Sequence, residues 1–444
     1  MKISIIGTGY VGIVTGACLA EQGHDVVCVD IDQRKVDAIN AGIAPIHEDG
    51  LPELLKRNIG KRLRASNDLA KEVVDSEMTM IAVGTPASEG RIDLKYVEAA
   101  ASQIGTALRG VSRYHTVVVK STVIPGTTAG TVREHLEKAS GKRAGQDFGL
   151  GMNPEFLTEG TAVEDFSRPD RLVLGGVDAR THEALKHLYA GFDASVPRIL
   201  TNTQTAEMIK YASNAVLATM ISFSNEIARL SARIGGIDAI DVVRGVHAAT
   251  YFTSRGKGEP VVSGITSFLS PGCGFGGSCL PKDVTALIGQ GRSLGLPLPL
   301  LQSVLDINKG QIDEMLALLG KHHASLQGLR VAVLGIAFKP DTDDVRETPA
   351  FPLIKRLKQA GAEVTAYDPV AKPLDHEAMQ GVTFASSLAD AVAQADAVLL
   401  VTRWKEFEQL GALLKSRSPQ PPVIDGRRSL NPADFARYEG IGRA

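Results

Sequence analysis

The run Gly272-Cys273-Gly274-Phe275-Gly276-Gly277-Ser278-Cys279-Leu280-Pro281-Lys282-Asp283 places a thiol at the end of a glycine-rich loop, with a lysine and an aspartate just after it. Glycines let a backbone approach a ligand closely and adopt positive φ. A thiol beside a cation ionises more readily, and the thiolate is the nucleophile. The segment therefore presents Cys279 as a candidate covalent catalyst. Taken alone, it reads equally well as a buried cysteine in a tight turn. A second pair sits upstream. Lys210 and Asn214 are four apart in an apolar helical stretch from Thr203 to Ile234, so they share one helix face. A lysine on a buried face is costly unless it has a task, the alternative being a surface lysine that snorkels.

These groups need elements to position them, and the N-terminus supplies the clearest. Lys2-Ile3-Ser4-Ile5-Ile6 reads as a buried strand, followed by Gly7-Thr8-Gly9-Tyr10-Val11-Gly12, a helix from Ile13 to Gln22, and a second strand, Val26 to Val29, ending in Asp30. Strand, G-x-G-x-x-G, helix, strand and acid are the ordered parts of a dinucleotide fingerprint. The glycines permit the tight turn and the approach of a pyrophosphate to the helix N-terminus. Asp30 accepts from ribose hydroxyls and repels a 2′-phosphate, which favours NAD over NADP.

The chain has 444 residues, 44% hydrophobic and 22% charged, with a formal charge of −2. That length is ample for two or three cores. The charge leaves no electrostatic footprint for nucleic acid or anionic membrane. Cys18, Cys28, Cys273 and Cys279 are too few for a disulfide framework, and no Cys/His spacing suggests a metal. No run of apolar residues is long enough to span a membrane, and glycines interrupt the N-terminal run that could mimic a signal peptide, so the chain reads as cytoplasmic.

Strand and helix patterns alternate over residues 1–200, as in a doubly wound α/β domain. The strands near Met78–Val83 and Thr116–Val119 end at Thr85 and Thr122, where ligands of open α/β sheets bind. A second α/β unit begins near Leu329. Its first strand runs into Gly335-Ile336-Ala337-Phe338-Lys339, in which Phe338 and Lys339 replace small residues, and a later strand ends in Asp368. It reads as a nucleotide-sized site for a different ligand, with Lys339 and Arg427 offering charge to phosphates. The expected architecture is two Rossmann-like doubly wound domains joined by a long central helix. Residues 1–200 bind NAD, 201–300 form a central helical region carrying the lysine and cysteine, and 301–444 bind the second nucleotide.

The ordered motifs resemble the nucleotide-sugar 6-dehydrogenases, the UDP-glucose and GDP-mannose 6-dehydrogenase group. The resemblance rests on the N-terminal fingerprint, Val83-Gly84-Thr85-Pro86, Ser121-Thr122-Val123-Ile124-Pro125-Gly126-Thr127 and Asn153-Pro154-Glu155-Phe156-Leu157-Thr158-Glu159-Gly160. It continues through Ala206-Glu207-Met208-Ile209-Lys210-Tyr211-Ala212-Ser213-Asn214, the Cys279 loop, and Phe338-Lys339-Pro340-Asp341-Thr342-Asp343-Asp344-Val345-Arg346-Glu347. It implies a four-electron oxidation of a sugar C6 alcohol to a carboxylate with two NAD+, serving polysaccharide biosynthesis. Cys279 would form a thiohemiacetal and then a thioester. Lys210 and Asn214 would stabilise an oxyanion or an ordered water. Asp283 and Thr122 would help hold that water, and Glu155 would act as base for hydrolysis.

On the cofactor side the resemblance adds Lys35, Thr85, Thr122, Glu159, Lys282 and Arg346 to Gly7, Gly9, Tyr10, Val11, Gly12 and Asp30. On the substrate side it implies Glu155, Phe156, Leu157, Lys210, Asn214, Phe268, Leu269, Gly276, Lys339 and Arg427. It also implies a homodimer built on the central helices. From the residues alone, Glu155 and Glu159 fit a solvated acidic helix start equally well.

One stretch departs from the pattern. His247 to Pro260 is longer than its counterpart and lacks an Asp-x-Arg-Ile-Gly-like segment, with Arg255 as a candidate replacement for a sugar-contacting arginine. Residues Asn214–Thr219 and the cysteine loop lean towards UDP-glucose, with GDP-mannose or another nucleotide sugar as the alternative. Two rival readings remain. One is a two-electron β-hydroxyacid-type dehydrogenase that uses the lysine without the cysteine, and the other is a non-enzymatic NAD-binding protein.

Overall fold

The structure is a computed structural model that describes residues 1–88, 90–254, 259–372 and 375–443. It forms two compact units that meet in sequence between Ser213 and Asn214.

The first unit is built on an eight-stranded sheet. Its strands are β1 (Lys2–Ile6), β2 (Asp25–Val29), β3 (Leu63–Ser66), β4 (Met78–Ile81), β5 (Thr116–Val119), β6 (Gly149–Met152), β7 (Leu172–Gly176) and β8 (Arg198–Thr201), in the order β8-β7-β6-β5-β4-β1-β2-β3. Alternate residues feed two cores. Ile3, Ile5, Val26 and Cys28 pack on one face with Ile13, Leu19 and Leu55. Ile6, Val27 and Val29 pack on the other with Ile104, Leu108 and Leu136. Burial on both faces explains the nearly unbroken apolar strands. The pairing is parallel except between β6 and β7, which run antiparallel, so the sheet departs from a purely parallel doubly wound one.

Helix α1 (Tyr10–Glu21) follows β1 directly, and helix α2 (Thr203–Ile234) follows β8. The bounds of α2 are those expected from its apolar pattern. The boundary between the units falls within this continuous helix, which gives Lys210 to the first unit and Asn214 to the second.

The second unit contains α3 (Leu280–Ser293), α4 (Pro299–Gly320) and α5 (Ala350–Gln359). Its sheet comprises β9 (Arg330–Leu334), β10 (Glu363–Tyr367), β11 (Thr383–Phe384), β12 (Ala397–Leu400), β13 (Val423–Asp425) and β14 (Tyr438–Gly440). All are parallel, in the order β11-β10-β9-β12-β13-β14. Val331 and Val333 enter one core and Ala332 and Leu334 the other.

Candidate functional site

In the first unit the candidate residues collect beyond the carboxyl ends of its strands. Gly7 has φ +100, and a Cβ there would lie 2.7 Å from the Ala82 carbonyl oxygen. A Cβ on Gly12 would lie 1.9 Å from the Gly7 carbonyl oxygen, so the turn closes only with glycine at both positions. Gly9 differs. It caps α1 without a side-chain hydrogen bond, and a Cβ there would meet no protein atom within 4 Å. The first turn of α1 contains no acidic residue. The turn therefore fits a dinucleotide pyrophosphate, which takes the N–H groups and positive end of a helix.

The acid is in place as well. Asp30 Oδ2 accepts from the Thr8 amide at 2.9 Å and from the Thr8 hydroxyl, and Oδ1 accepts from the Asp32 amide at 2.9 Å. Burial pushes its carboxyl upward, but these donors and Lys35, at 3.9 Å, hold it below the usual range. Oδ1 keeps a lone pair for a further donor such as a ribose hydroxyl. Tyr10 points elsewhere, donating to Glu48 and accepting from the Gly160 amide at 3.0 Å. The Thr85 hydroxyl donates to the Thr122 carbonyl at 2.9 Å, joining the ends of two neighbouring strands.

Glu155 departs from the acidic helix start. Residues 153–158 are irregular, Pro154 supplies no backbone donor, and Glu155 is 7% exposed. Glu159 stands in a turn beyond this segment, not one helical turn after Glu155. Lys210 on α2, 4% exposed, approaches Glu155 Oε1 at 2.9 Å, and the Leu157 amide donates to Oε2 at 2.7 Å. Burial pushes the Glu155 carboxyl upward, yet Lys210 beside it holds it below its usual range. Phe156 carries the Arg171 guanidinium 3.8 Å from its ring centroid, and Arg171 donates to Ser213 on α2. The buried lysine of α2 thus has a charged partner, as the cost of its burial demands.

In the second unit the candidate residues centre on the cysteine loop. Cys279 is exposed and stands at the N-cap of α3. Asp283, one turn into the helix, is 1% exposed. Its two oxygens accept from Asn214 Nδ2 and Lys282 Nζ, both at 2.6 Å. The structure thus joins Asn214, Lys282 and Asp283 in one cluster.

The loop before Cys279 is tied down on every side. Gly272 donates to Asn225 Oδ1 on α2 at 2.7 Å, Phe275 exchanges two hydrogen bonds with Asn308 on α4, and the Gly277 amide donates to the Arg346 carbonyl at 2.9 Å. A Cβ on Gly276 would lie 2.1 Å from the Glu347 carbonyl oxygen, and one on Gly277 would lie 2.7 Å from the Phe338 ring. These glycines make room for the unit's own backbone and aromatic ring. Arg427 also serves the loop, donating to the Gly274 carbonyl at 2.8 Å and the Val401 carbonyl at 2.6 Å. Arg346 pairs with Asp344 at 2.7 Å, and Lys339 lies 6.0 Å from the Phe338 ring centroid. Phe268 ends a short 3-10 helix and Leu269 follows it, buried, its carbonyl 3.0 Å from His247 Nε2. Arg255 lies outside the described residues.

Two residues of the first unit escaped the sequence reading. Glu207, one turn before Lys210, is fully buried and accepts from the Gly126 and Thr128 amides at 2.6 and 2.8 Å, fastening the segment after Thr122 to α2. Lys120 ends the apolar run of β5 and is 3% exposed. A lysine following three buried valines was the available signal. Among the described residues no cluster of His, Cys, Asp and Glu could hold a metal, and no helix is long and apolar enough to cross a membrane.

Residues 1–193 match the NAD binding domain of the UDP-glucose/GDP-mannose dehydrogenase family, residues 204–310 its central domain, and residues 332–432 its UDP binding domain. The chain is 44% identical to a UDP-glucose 6-dehydrogenase of Haloferax volcanii, over 99% of this chain and 100% of that one. It is 39% identical to a GDP-mannose 6-dehydrogenase of Pseudomonas putida, over 99% and 100% of the two chains. Among solved structures, a UDP-glucose dehydrogenase from Pyrobaculum islandicum aligns with a TM-score of 0.90 at 37% identity, covering 100% of this chain and 98% of the other.

Proposed function

The chain belongs to the UDP-glucose/GDP-mannose dehydrogenase family, whose N-terminal domain binds NAD, and we propose that it oxidises UDP-glucose at C6 to UDP-glucuronate in two NAD-dependent steps. The observation that carries the covalent part of this reading is Cys279, exposed at the N-terminus of α3 with the buried Asp283 one turn on. A helix N-terminus favours a thiolate there. NAD+, when bound, accepts one hydride in each oxidation.

In this reading the first oxidation converts the C6 alcohol to an aldehyde, and Cys279 Sγ adds to its carbonyl carbon to give a thiohemiacetal. The second oxidation leaves a thioester on Cys279. Water then attacks the acyl carbon while Glu155 accepts its proton, and the C–S bond breaks to release carboxylate and thiol. Lys210 and Asn214 stabilise the oxyanion, and Asp283 and Thr122 position the water. Gly7, Gly9, Gly12 and Asp30 hold NAD, with Lys35, Thr85, Glu159, Lys282 and Arg346 around it. Residues 1–200 serve the cofactor, 201–300 supply Lys210 and Cys279, and 301–444 take the nucleotide of the substrate.

UDP-glucose is favoured by the match of residues 332–432 to a UDP binding domain and by the full-length likeness to the Haloferax enzyme. GDP-mannose is the second substrate to test, because the Pseudomonas relative aligns over its whole length. The enzyme works in the cytoplasm as a homodimer. Supporting the dimer, Val216, Phe223, Leu230 and Ile234 recur along one face of α2 and are each more than half exposed. Sedimentation at micromolar concentration tests this, and a monomer would overturn it.

The deciding assay is NADH formed per limiting sugar with excess NAD+. Two NADH per UDP-glucose is expected. One NADH points to the two-electron rival, and none moves the substrate to GDP-mannose or another nucleotide sugar. Cys279→Ser is expected to lose net turnover by about 10³-fold or more, because no thioester forms. Near-normal turnover in that variant would remove the covalent step.

A further inference from the structure

The Glu155 site contains a second cation with no part in the scheme above. Lys120 Nζ donates to Asn153 Oδ1 at 3.1 Å. The orientation of that amide is fixed, because Asn153 Nδ2 donates to the Val173 carbonyl at 2.9 Å. The Tyr189 hydroxyl donates to the same Oδ1, so Asn153 has an acceptor satisfied even without the lysine. A residue kept only to fill space or to satisfy Asn153 need not be charged, and a buried ammonium is expensive. Lys120 and Glu155 also line one cavity.

We propose that Lys120 is a positioning residue of the Glu155 site, anchored on Asn153, whose charge acts with that of Lys210 to keep the Glu155 carboxylate ionised and ready to accept a proton. The proposal rests on Glu155 being the hydrolytic base. Glu155 is contacted by Lys210 from α2 and by the Leu157 amide, and Lys120 at the end of β5 lines the same cavity. Asp165, Arg168, Asp170 and Arg171 are the other charged groups lining the cavity. Lys120 itself is lowered to about 8, chiefly by burial, with Glu155 raising it and Lys210 lowering it further. Tyr189 is pushed upward by burial and stays neutral at working pH.

The sign follows directly. A neighbouring cation lowers a carboxyl group, so removing one raises Glu155 and less of it is ionised at a given acidic pH. The test is the pH profile of kcat for Lys120→Gln, which retains a donor for Asn153 but loses the charge, beside Lys120→Arg, which keeps the charge. The acid limb of Lys120→Gln is expected to move up by about one pH unit, while Lys120→Arg stays at the wild-type position. An unmoved acid limb in folded Lys120→Gln overturns the proposal. Should Lys120→Gln fail to fold, Lys120→Met decides in its place: an acid limb moved up upholds the charge role, and an unmoved one overturns it. Glu155→Gln separates the two layers. Full turnover in Glu155→Gln sinks the reading of Glu155 as base, whereas lost turnover there with an unmoved limb in Lys120→Gln sinks only the role of Lys120.

Discussion

Asp30 and Asp368 occupy equivalent places in the two sheets. Each follows the strand beside the one that runs into the first turn glycine. Gly7 and Gly335 both have positive φ, +100 and +90, and both donate at 2.8 Å to the last residue of that neighbouring strand. A Cβ on either would collide with the chain just past the next parallel strand, at Ala82 directly after β4 in the first unit and at Thr402 two residues after β12 in the second. From there they diverge. In the first unit α1 starts at Tyr10, and the Asp30 side chain is 10% exposed with Oδ1 taking a single donor. In the second unit the next helix, α5, starts only at Ala350. Asp368 is 1% exposed, and its oxygens accept from the Ile336, Ala337, Val370 and Ala371 amides and the Trp404 indole, at 2.7 to 3.0 Å. The same strand-glycine-acid order therefore makes an open turn, which we propose for the cofactor, once and a structural knot once. The difference lies in who supplies the donors. Where the protein supplies all of them, the acid cannot read a ribose.

The largest expected effect tests the knot. Asp368→Asn replaces a carboxylate facing five N–H donors by an amide whose own N–H₂ faces some of them. We expect it to lower the stability of the second unit by about 3–5 kcal/mol, seen as an earlier urea transition, with NAD binding by the folded protein unchanged. An unaltered transition would break the comparison from the structural side. The next effect tests the cofactor turn. Asp30→Asn should raise KM for NAD by roughly 10–100-fold, with a smaller loss of stability, because one ribose acceptor and its charge are lost. Unchanged KM with a large stability loss would make Asp30 a knot like Asp368.

The parts of this contrast that local pattern governs were legible in the sequence. β1, the glycine turn, α1 and Asp30 follow one another within a short segment, and the apolar pattern of α2 reached both of its ends. The Lys210–Asn214 spacing placed two polar groups on one helix face. What stayed hidden depends on partners far away in the chain. From its neighbours in the chain Glu155 fitted a solvated helix start as well as a base, because nothing local shows that Lys210 closes on it from α2. Asp368 stood in the sequence only as an acid at the end of a strand, and its enclosure was hidden because Trp404, one of its donors, follows a later strand. The glycines at 276 and 277 announced close approach but not by what, and the answer, Glu347 and Phe338, sits in the loop that replaces the early helix of the second unit. Lys120 was visible as a lysine after an apolar strand, yet only its contact with Asn153 distinguishes it from a strand-end lysine in water.

The smallest expected effect on the fold is also the sharpest test of the cofactor turn. Gly9 has φ −68 and ψ −174, an extended backbone that alanine adopts without strain, and its added Cβ would touch no protein atom. Gly9→Ala should leave stability within about 0.5 kcal/mol of wild type. It should nevertheless weaken NAD binding by roughly 10-fold, because the methyl group enters the space through which a pyrophosphate approaches α1. Gly335→Ala is the counterpart: with φ +90 and a Cβ 2.5 Å from Thr402 Cβ, it should destabilise the second unit and spare NAD affinity in the folded fraction. Calorimetric titration with NAD beside a thermal melt reads both variants. Wild-type NAD affinity in Gly9→Ala would mean that the pyrophosphate does not sit on this turn, and the two glycines would then differ only in how tightly their neighbours pack.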